Sequence, residues 1–183
     1  MMELFALCAP DIAPQTLTEV IRVESQGNPL AININGPIRL PRAPVDAADA
    51  VALVRPVIAA GTSVDLGLMQ VNSRNLPRLG YTLEQMFDPC TNLRAGAAIL
   101  AANYVEAARR QGPGQPALLS ALSAYNTGDF ARGFHNGYVA KYTARVPAAV
   151  PPADPANPLF APTTIYRRAP DAPDPAATHH HRP

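Results

Sequence analysis

The sequence lacks several features that would point to particular partners. Tryptophan is absent from the 183 residues, which removes one common residue for stacking on sugars and leaves six tyrosines for that role. The formal net charge is only +1 and no basic stripe stands out, which argues against nucleic acid or an anionic membrane as a partner. No run of about 18 apolar residues occurs, so we expect no membrane span. The first ten residues have a short apolar patch without a basic segment and do not match a signal peptide.

Cysteine is also scarce, with only Cys8 and Cys90 in the chain. Neither lies in a C-x-x-C pair or has a histidine at zinc-ligand spacing, so we predict no metal site and no cofactor. The residues alone leave two readings open, namely two buried thiols or one disulfide in an oxidising compartment. The three histidines 179–181 have no carboxylate or cysteine beside them, and we interpret them as part of a solvated tail.

The composition changes near residue 147. Hydrophobic residues make up 48% of the chain and charged residues only 16%, which is enough apolar surface for a core. Ten of the 21 prolines, however, fall within residues 147–183, among few large apolar residues. Such a segment cannot offset the entropy lost on ordering. We therefore predict one folded domain over residues 3–146, a disordered Pro/Ala-rich tail over residues 147–183, and a monomer.

The folded part has mainly helical patterns with a small β insertion, which predicts a mainly α (α+β) fold. Gln26-Gly27-Asn28-Pro29 is a helix stop signal after the first predicted helix. Alternating apolar residues end at Asn35-Gly36, which is typical of a hairpin turn. A short apolar run follows over 63–72. Helices are predicted over residues 13–25, 46–60, 92–111, 117–125 and 138–146.

The first predicted helix carries a carboxylate on its apolar side. Leu17, Val20 and Ile21 form an apolar stripe, and Glu24 occupies the next position on that face. Burial disfavours the charged form of a carboxyl group and raises its pKa. A proton held near neutral pH is what a general acid needs. The alternative is that the helix phase differs and that Glu24 lies on the surface.

Three fragments in this order carry a resemblance to a known family. They are Glu24-Ser25 before Asn28-Pro29, Gly67-Leu68-Met69-Gln70-Val71-Asn72, and Ala124-Tyr125-Asn126. Across about residues 5–145 the sequence resembles the lytic transglycosylases with a goose-lysozyme-like domain. Within that family it is most similar to the specialised members that accompany type IV secretion and conjugation. The closer likeness rests on Cys8-Ala9-Pro10, on Val23-Glu24-Ser25 and on Asp88-Pro89-Cys90 with the following Asn92-Leu93-Arg94-Ala95-Gly96.

The resemblance implies a lysozyme-like fold and a role for each matching residue. Glu24 would protonate the glycosidic oxygen between N-acetylmuramic acid and N-acetylglucosamine of peptidoglycan, then act as base on the muramic C6 hydroxyl to form a 1,6-anhydro end. The implied substrate-binding residues are Ser25, Gln70, Asn72, Tyr125, Asn126 and Tyr138. Tyr142 is an alternative to Tyr138, or packs on it. An intramolecular nucleophile needs no second carboxylate, and we interpret the nearest one, Asp65, as an ordinary loop or strand acid.

The resemblance also decides between the two readings of the cysteines. Because both lie inside matching stretches, it implies a Cys8–Cys90 disulfide, a periplasmic setting and subunits of a type IV secretion system as partners. Two other functions stay open at this point. One is a hydrolytic muramidase, which shares the fold and the acid. The other is a non-catalytic peptidoglycan-binding or secretion scaffold protein whose Pro-rich tail recruits partners.

Overall fold

A computed structural model describes residues 2–143 and has a mainly helical fold with one small sheet, which confirms the predicted fold class. Its strands are β1 (Ile32–Ile34), β2 (Val64–Leu66) and β3 (Val71–Asn72). Short 3₁₀ turns cover Ser73–Asn75 and Glu84–Phe87. The α-helices are α1 (Met2–Cys8), α2 (Pro14–Glu24), α3 (Ala47–Ala59), α4 (Leu76–Leu79), α5 (Pro89–Gln111), α6 (Gln115–Thr127), α7 (Arg132–His135) and α8 (Ala140–Thr143).

The long helix α5 forms the centre of the core. The helical spacing of apolar residues in the sequence predicts one apolar face on this helix, and the five residues of that face are all buried: Leu93, Ala97, Leu100, Tyr104 and Ala107. Helices α6 and α1 both pack against α5. Within the described residues three helices have no counterpart among the predicted elements, namely α1 and the two single-turn helices α4 and α7. Of these, α1 packs on the core. It has only seven residues, too few for a helical period to stand out.

The sheet is antiparallel in the order β1-β2-β3, and one prediction about it is wrong. Asn35-Gly36 does not turn β1 into a hairpin. Instead β1 pairs with β2, about thirty residues further along, and α3 lies between them in sequence. The hairpin of this sheet joins β2 to β3 through residues 67–70. Strand pairing over such a distance is decided by tertiary packing, which a local turn signal does not report.

The β2–β3 connection is fixed by the buried side chain of Asn92 on α5. The amide nitrogen of Asn92 donates hydrogen bonds to the backbone oxygens of Leu66 and Met86, at 2.8 Å and 2.9 Å. Its oxygen accepts a hydrogen bond of 2.7 Å from the backbone N–H of Met69. Gly67 has a φ of +71°, and a Cβ there would collide with the Asn92 amide. The connection therefore needs both the glycine and the asparagine.

The predicted disulfide is present and joins α1 to the first turn of α5. Cys8 and Cys90 are bonded, with their Cα atoms 5.3 Å apart and a sequence separation of 82. The remaining helix predictions agree with the structure to within three residues at the described ends. The last helix begins at Ala140 rather than Tyr138, and residues 144–146 of that prediction lie outside the described residues. The tail 147–183 and its three histidines lie outside them too.

Removing the disulfide is expected to destabilise the protein strongly. In the chain-entropy model, opening a loop of this length lowers the free energy of unfolding by about 4 kcal/mol. We expect this loss, measured by urea denaturation, in the Cys8→Ala, Cys90→Ala double variant and in the reduced protein. Equal stability of the oxidised and reduced forms would contradict the expectation.

Candidate active site

A polar cleft of about 640 Å³ lies between the sheet, the C-terminal end of α2 and the helices α5, α6 and α8. It is lined by six of the seven residues that the sequence singled out, namely Glu24, Gln70, Asn72, Tyr125, Asn126 and Tyr138. These residues come from four separate parts of the chain. The fold therefore brings together side chains that were predicted from separate motifs.

Glu24 is the last residue of α2 and is half-buried in the cleft. The stripe that precedes it is buried, with Leu17 and Val20 fully enclosed and Ile21 nearly so, which confirms the helix phase. The helix ends here because Gln26 and Gly27 both take positive φ values, of 55° and 84°. A left-handed residue after a helix ends its hydrogen-bonding pattern.

The surroundings of Glu24 favour its protonated form. Burial raises its pKa from the ordinary value of 4.5 to about 7. The hydrogen bond from Tyr138 acts in the opposite direction, and the charge of Asp65 raises the pKa further. The charge of Lys141 lowers it. Burial is the largest of these effects, so a proton is held at Glu24 near neutral pH.

Tyr138 and Tyr142 are both buried near Glu24, and they differ in whether they contact the acid directly. The Tyr138 hydroxyl donates a hydrogen bond to the Glu24 carboxyl group. The Tyr142 hydroxyl lies 2.7 Å from that of Tyr138, and the two rings pack edge to face with centroids 5.3 Å apart. Burial raises the pKa of both phenols, so both remain protonated and able to donate. Tyr138 contacts the acid directly, and Tyr142 supports Tyr138.

Asp65 lines the same cleft as Glu24. The sequence analysis interpreted it as an ordinary loop or strand acid and did not place it in the site. It lies in β2 as expected of a strand acid, but its side chain lines the cleft. In the sheet register it faces Asn33 on one side and Asn72 on the other, so the three form a row across the strands. The amide groups of Asn33, Asn35 and Asn72 donate to its carboxylate at 3.1 Å, 3.0 Å and 2.6 Å. This row fixes the carboxylate in the cleft.

Gln70 and Tyr125 fix the wall opposite α2. Gln70 has an unusual positive φ of 48°, and its side-chain amide donates hydrogen bonds to the backbone oxygens of Ala31 and Gly67 at 3.1 Å and 2.9 Å. The Tyr125 hydroxyl donates a hydrogen bond of 2.7 Å to the backbone oxygen of Met69. Both side chains are therefore held in place by the backbone of the β2–β3 connection.

Asn126 lies at the rim, where its side-chain oxygen accepts a hydrogen bond of 3.4 Å from Asn136. Ser25 is the predicted site residue that the structure does not bring into the cleft. Its hydroxyl donates to the backbone oxygen of Ile21 and accepts a hydrogen bond from the N–H of Gly27. The serine side chain stabilises the end of α2 and does not line the cleft.

Further polar side chains line the cleft that the sequence analysis did not single out. They are Asn33, Asn35, Ser63, Asn75, Arg78, Asn103 and Lys141. For the first two a signal existed, because residues two apart in a strand point to the same face and Asn33 and Asn35 alternate with isoleucine. Arg78 and Lys141 carry no local pattern, and only the tertiary fold brings them here.

Other classes of site have no support within the described chain. Residues 2–143 contain no group of three or more histidine, cysteine or carboxylate side chains placed to hold a metal ion. None of the helices over the same residues has the length and apolar character needed to cross a bilayer.

A carboxyl group with a raised pKa in an amide-lined cleft is an arrangement found in enzymes that cleave glycosidic bonds. The comparisons with known proteins identify the family. The Transglycosylase SLT domain matches residues 1–146, and the chain belongs to that family. This membership confirms the resemblance to lytic transglycosylases that the motifs indicated. No solved structure gives a significant match to the chain.

The similar relatives carry names from type IV secretion. The chain is 39% identical over 171 residues to the "Type IV secretion system protein virB1" of Brucella suis, covering 90% of this chain and 68% of the relative. It is 44% identical over 128 residues to the protein of the same name from Brucella abortus, covering 69% and 53%. "Protein virB1" of Agrobacterium fabrum is 42% identical over 134 residues, covering 73% and 54%. The chain thus spans between about half and two thirds of these relatives.

The raised pKa of Glu24 predicts how stability depends on pH. Between pH 4.5 and 7 the folded protein retains a proton that the unfolded chain releases, so the free energy of unfolding falls as the pH rises. Glu24 alone is expected to lower the free energy of unfolding by about 3 kcal/mol by pH 8, relative to its value at low pH.

Glu24→Gln is the matched control, because glutamine has the same shape and does not titrate. Both proteins are unfolded with urea from pH 4 to pH 8. The unfolding free energy of Glu24→Gln minus that of the unchanged protein is expected to rise by about 3 kcal/mol over this range, because only the unchanged protein loses stability through Glu24. A difference that stays constant with pH would show that Glu24 keeps an ordinary pKa.

Proposed function

We propose that this protein is a peptidoglycan lytic transglycosylase that uses Glu24 as its acid and base. The observation that carries the proposal is the half-buried Glu24 carboxyl group, whose pKa is about 7 and which accepts a hydrogen bond from Tyr138 at the floor of a polar cleft. Membership of the Transglycosylase SLT domain family supports the same reaction class. The bond cleaved is the β-1,4 bond between N-acetylmuramic acid and N-acetylglucosamine.

The reaction proceeds in two proton transfers through the same carboxyl group. Glu24 gives its proton to the glycosidic oxygen as the bond from that oxygen to the muramic C1 breaks. The carboxylate of Glu24 then takes the proton of the muramic C6 hydroxyl, whose oxygen bonds to C1 and closes the 1,6-anhydro ring. The N-acetyl oxygen of the substrate offsets the positive charge that develops at C1. Glu24 regains its proton and no water is consumed.

Each neighbouring residue has a part in this scheme. Tyr138 orients the carboxyl group of Glu24 through its hydroxyl, and Tyr142 keeps Tyr138 in place. Both N–H groups of Gln70 are used on the backbone, so Gln70 can accept a hydrogen bond from a sugar at its side-chain oxygen. Asn72 and Asn126 each have a side-chain N–H to donate to the hydroxyl and acetamido oxygens of the sugars. Tyr125 holds the cleft wall through Met69. Ser25 acts on the orientation of Glu24 through the end of α2, because its hydroxyl contacts backbone there.

The disulfide and the relatives support a setting for the proposed reaction. Disulfides persist in oxidising compartments, and a Cys8–Cys90 bond therefore supports a periplasmic location. The named role of the relatives in type IV secretion supports local opening of the cell wall for such an apparatus, with its subunits as partners.

A hydrolytic muramidase is the second candidate, and one observation favours it. Asp65 lies in the same cleft as Glu24, so a pair of carboxyl groups is available. In the two-carboxylate scheme the second group acts as nucleophile or as base towards water. The transglycosylase scheme gives Asp65 a different part, since its charge raises the pKa of Glu24 and helps it to hold its proton.

The products of digestion decide between the functions. Purified peptidoglycan treated with the protein is expected to yield muropeptides with 1,6-anhydro ends, identified by mass spectrometry. Glu24→Gln is expected to lower the rate by a hundredfold to about ten-thousandfold, because the general acid is lost while the fold is retained. Products that have taken up water would identify a muramidase. Full biological function of Glu24→Gln would identify a non-catalytic scaffold.

Asp65→Asn separates the two chemical schemes. If Asp65 acts only through its charge, the variant keeps its rate at the optimum within about tenfold, and the basic limb of its pH–rate profile moves to lower pH. If Asp65 is a nucleophile or base, the rate falls as far as in Glu24→Gln. Glu106→Gln removes a carboxylate of α5 that does not line the cleft, and it is expected to change neither the rate nor the profile.

A further inference from the structure

A second depression adjoins the cleft at the C-terminal end of α2. Its volume is about 840 Å³, and it lies between α2 and α8. Thr18, Ile21 and Arg22 line it from α2, and Gln26 and Gly27 line it from the turn that follows. Val23 and Lys141 line both this depression and the cleft. The two spaces therefore adjoin each other at these two side chains, and a branch of a ligand in the cleft has only to pass them to reach the depression.

The boundary between the two spaces carries a residue that occurs once in the chain. Lys141 is the single lysine among the 15 basic residues, and the other 14 are arginine. Lysine differs from arginine in being a compact, mobile point charge without a planar fork. Its Nζ lies 5.5 Å from the centroid of the Tyr138 ring, whose hydroxyl contacts Glu24. A positive charge thus stands close to the reacting end of the cleft.

The walls of the depression are held together by Arg22. Its guanidinium donates a hydrogen bond of 3.0 Å to the backbone oxygen of Lys141, which ties α2 to α8. The same guanidinium forms an ion pair of 2.7 Å with Glu19, so its charge is matched within α2. None of the ion pairs formed within residues 2–143 includes Lys141. Lys141 is therefore the cation that the depression offers to a ligand.

The substrate of the proposed function has an anionic branch next to the bond that is cleaved. Muramic acid bears a peptide on its lactyl group, so the peptide leaves the glycan beside the bond that is cleaved, and it carries free carboxylates. A branch that leaves the cleft near Glu24 meets the depression and its cation. Opposite charges placed in a partly enclosed site attract each other more strongly than in water.

We propose that this depression binds the stem peptide of peptidoglycan and that Lys141 pairs with one of the peptide carboxylates. The proposal rests on the proposed function for the identity of the substrate. It makes Lys141 a specificity-determining residue, which favours glycan that still carries peptides over glycan from which they have been removed.

Binding tests the proposal without requiring catalysis. The full chain carrying Glu24→Gln is titrated with soluble, uncross-linked glycan strands, either with their peptides or after an amidase has removed them and the lactyl carboxylates that this exposes have been converted to amides. We expect peptide-bearing strands to bind about tenfold more tightly, as for a hydrogen bond between charged groups. Adding Lys141→Gln is expected to make the two affinities equal, whereas Lys141→Arg keeps the preference. Arg109→Gln, which removes an exposed cation of α5, is expected to leave it unchanged.

Chemical modification gives a second test on protein that is already folded. Acetylation neutralises Lys141 and the amino terminus, and the Lys141→Arg variant treated in the same way reports the effect of the amino terminus alone. Reductive methylation keeps the charge. We expect acetylation, but not methylation, to abolish the preference for peptide-bearing strands.

Two results would overturn the proposal. One is equal binding of both strands by the Glu24→Gln protein. The other is a loss caused by Lys141→Gln that is the same for both strands, which would mean that Lys141 acts on the glycan or through Tyr138. The proposed function fails separately, when the unchanged protein forms no anhydro products while the preference in binding remains.

Discussion

The side-chain amide of Asn92 is the interaction on which the cleft depends. It uses both of its N–H groups and its oxygen on backbone atoms of Leu66, Met86 and Met69, and it is almost completely buried. These contacts join α5 to the β2–β3 connection, from which Gln70 and the acceptor for Tyr125 are presented. Because an unsatisfied buried backbone group is costly, the connection has few alternative conformations. Gly67, Gln70 and Asn92 are thus parts of one arrangement.

The position of Glu24 has to combine burial, which raises its pKa, with access to the cleft. Glu24 is buried enough to hold its proton near neutral pH, yet it still faces the cleft where a substrate oxygen can reach it. A glutamate deeper in the core would keep its proton but meet no substrate. At the surface the same side chain would lose its proton below the pH at which the acid is needed. The position at the last turn of α2, followed by the left-handed Gln26, satisfies both demands.

The sequence predicted the features that local periodicity determines. The phase of α2, with Glu24 on its apolar side, and the apolar face of α5 both follow from residues spaced three and four apart. The residues singled out through the resemblance include six that line the cleft, whereas seven further polar side chains there were not singled out. The part that Asp65 plays was missed, because it depends on the register that sets it between Asn33 and Asn72. The partner of β1 was missed for the same reason, and Lys141 reaches the cleft only because α8 packs beside α2.

The bond between Cys8 and Cys90 also divides the site topologically. The closed ring of chain that it forms contains Glu24, Asp65 and Gln70, whereas Tyr125 and Tyr138 belong to the linear chain beyond it. Even when every helix has melted, the two carboxyl groups remain on one covalent circle. A single cut of the backbone inside that circle leaves a molecule in one piece, whereas a cut between Cys90 and Tyr138 removes the covalent link between the acid and the tyrosines that support it.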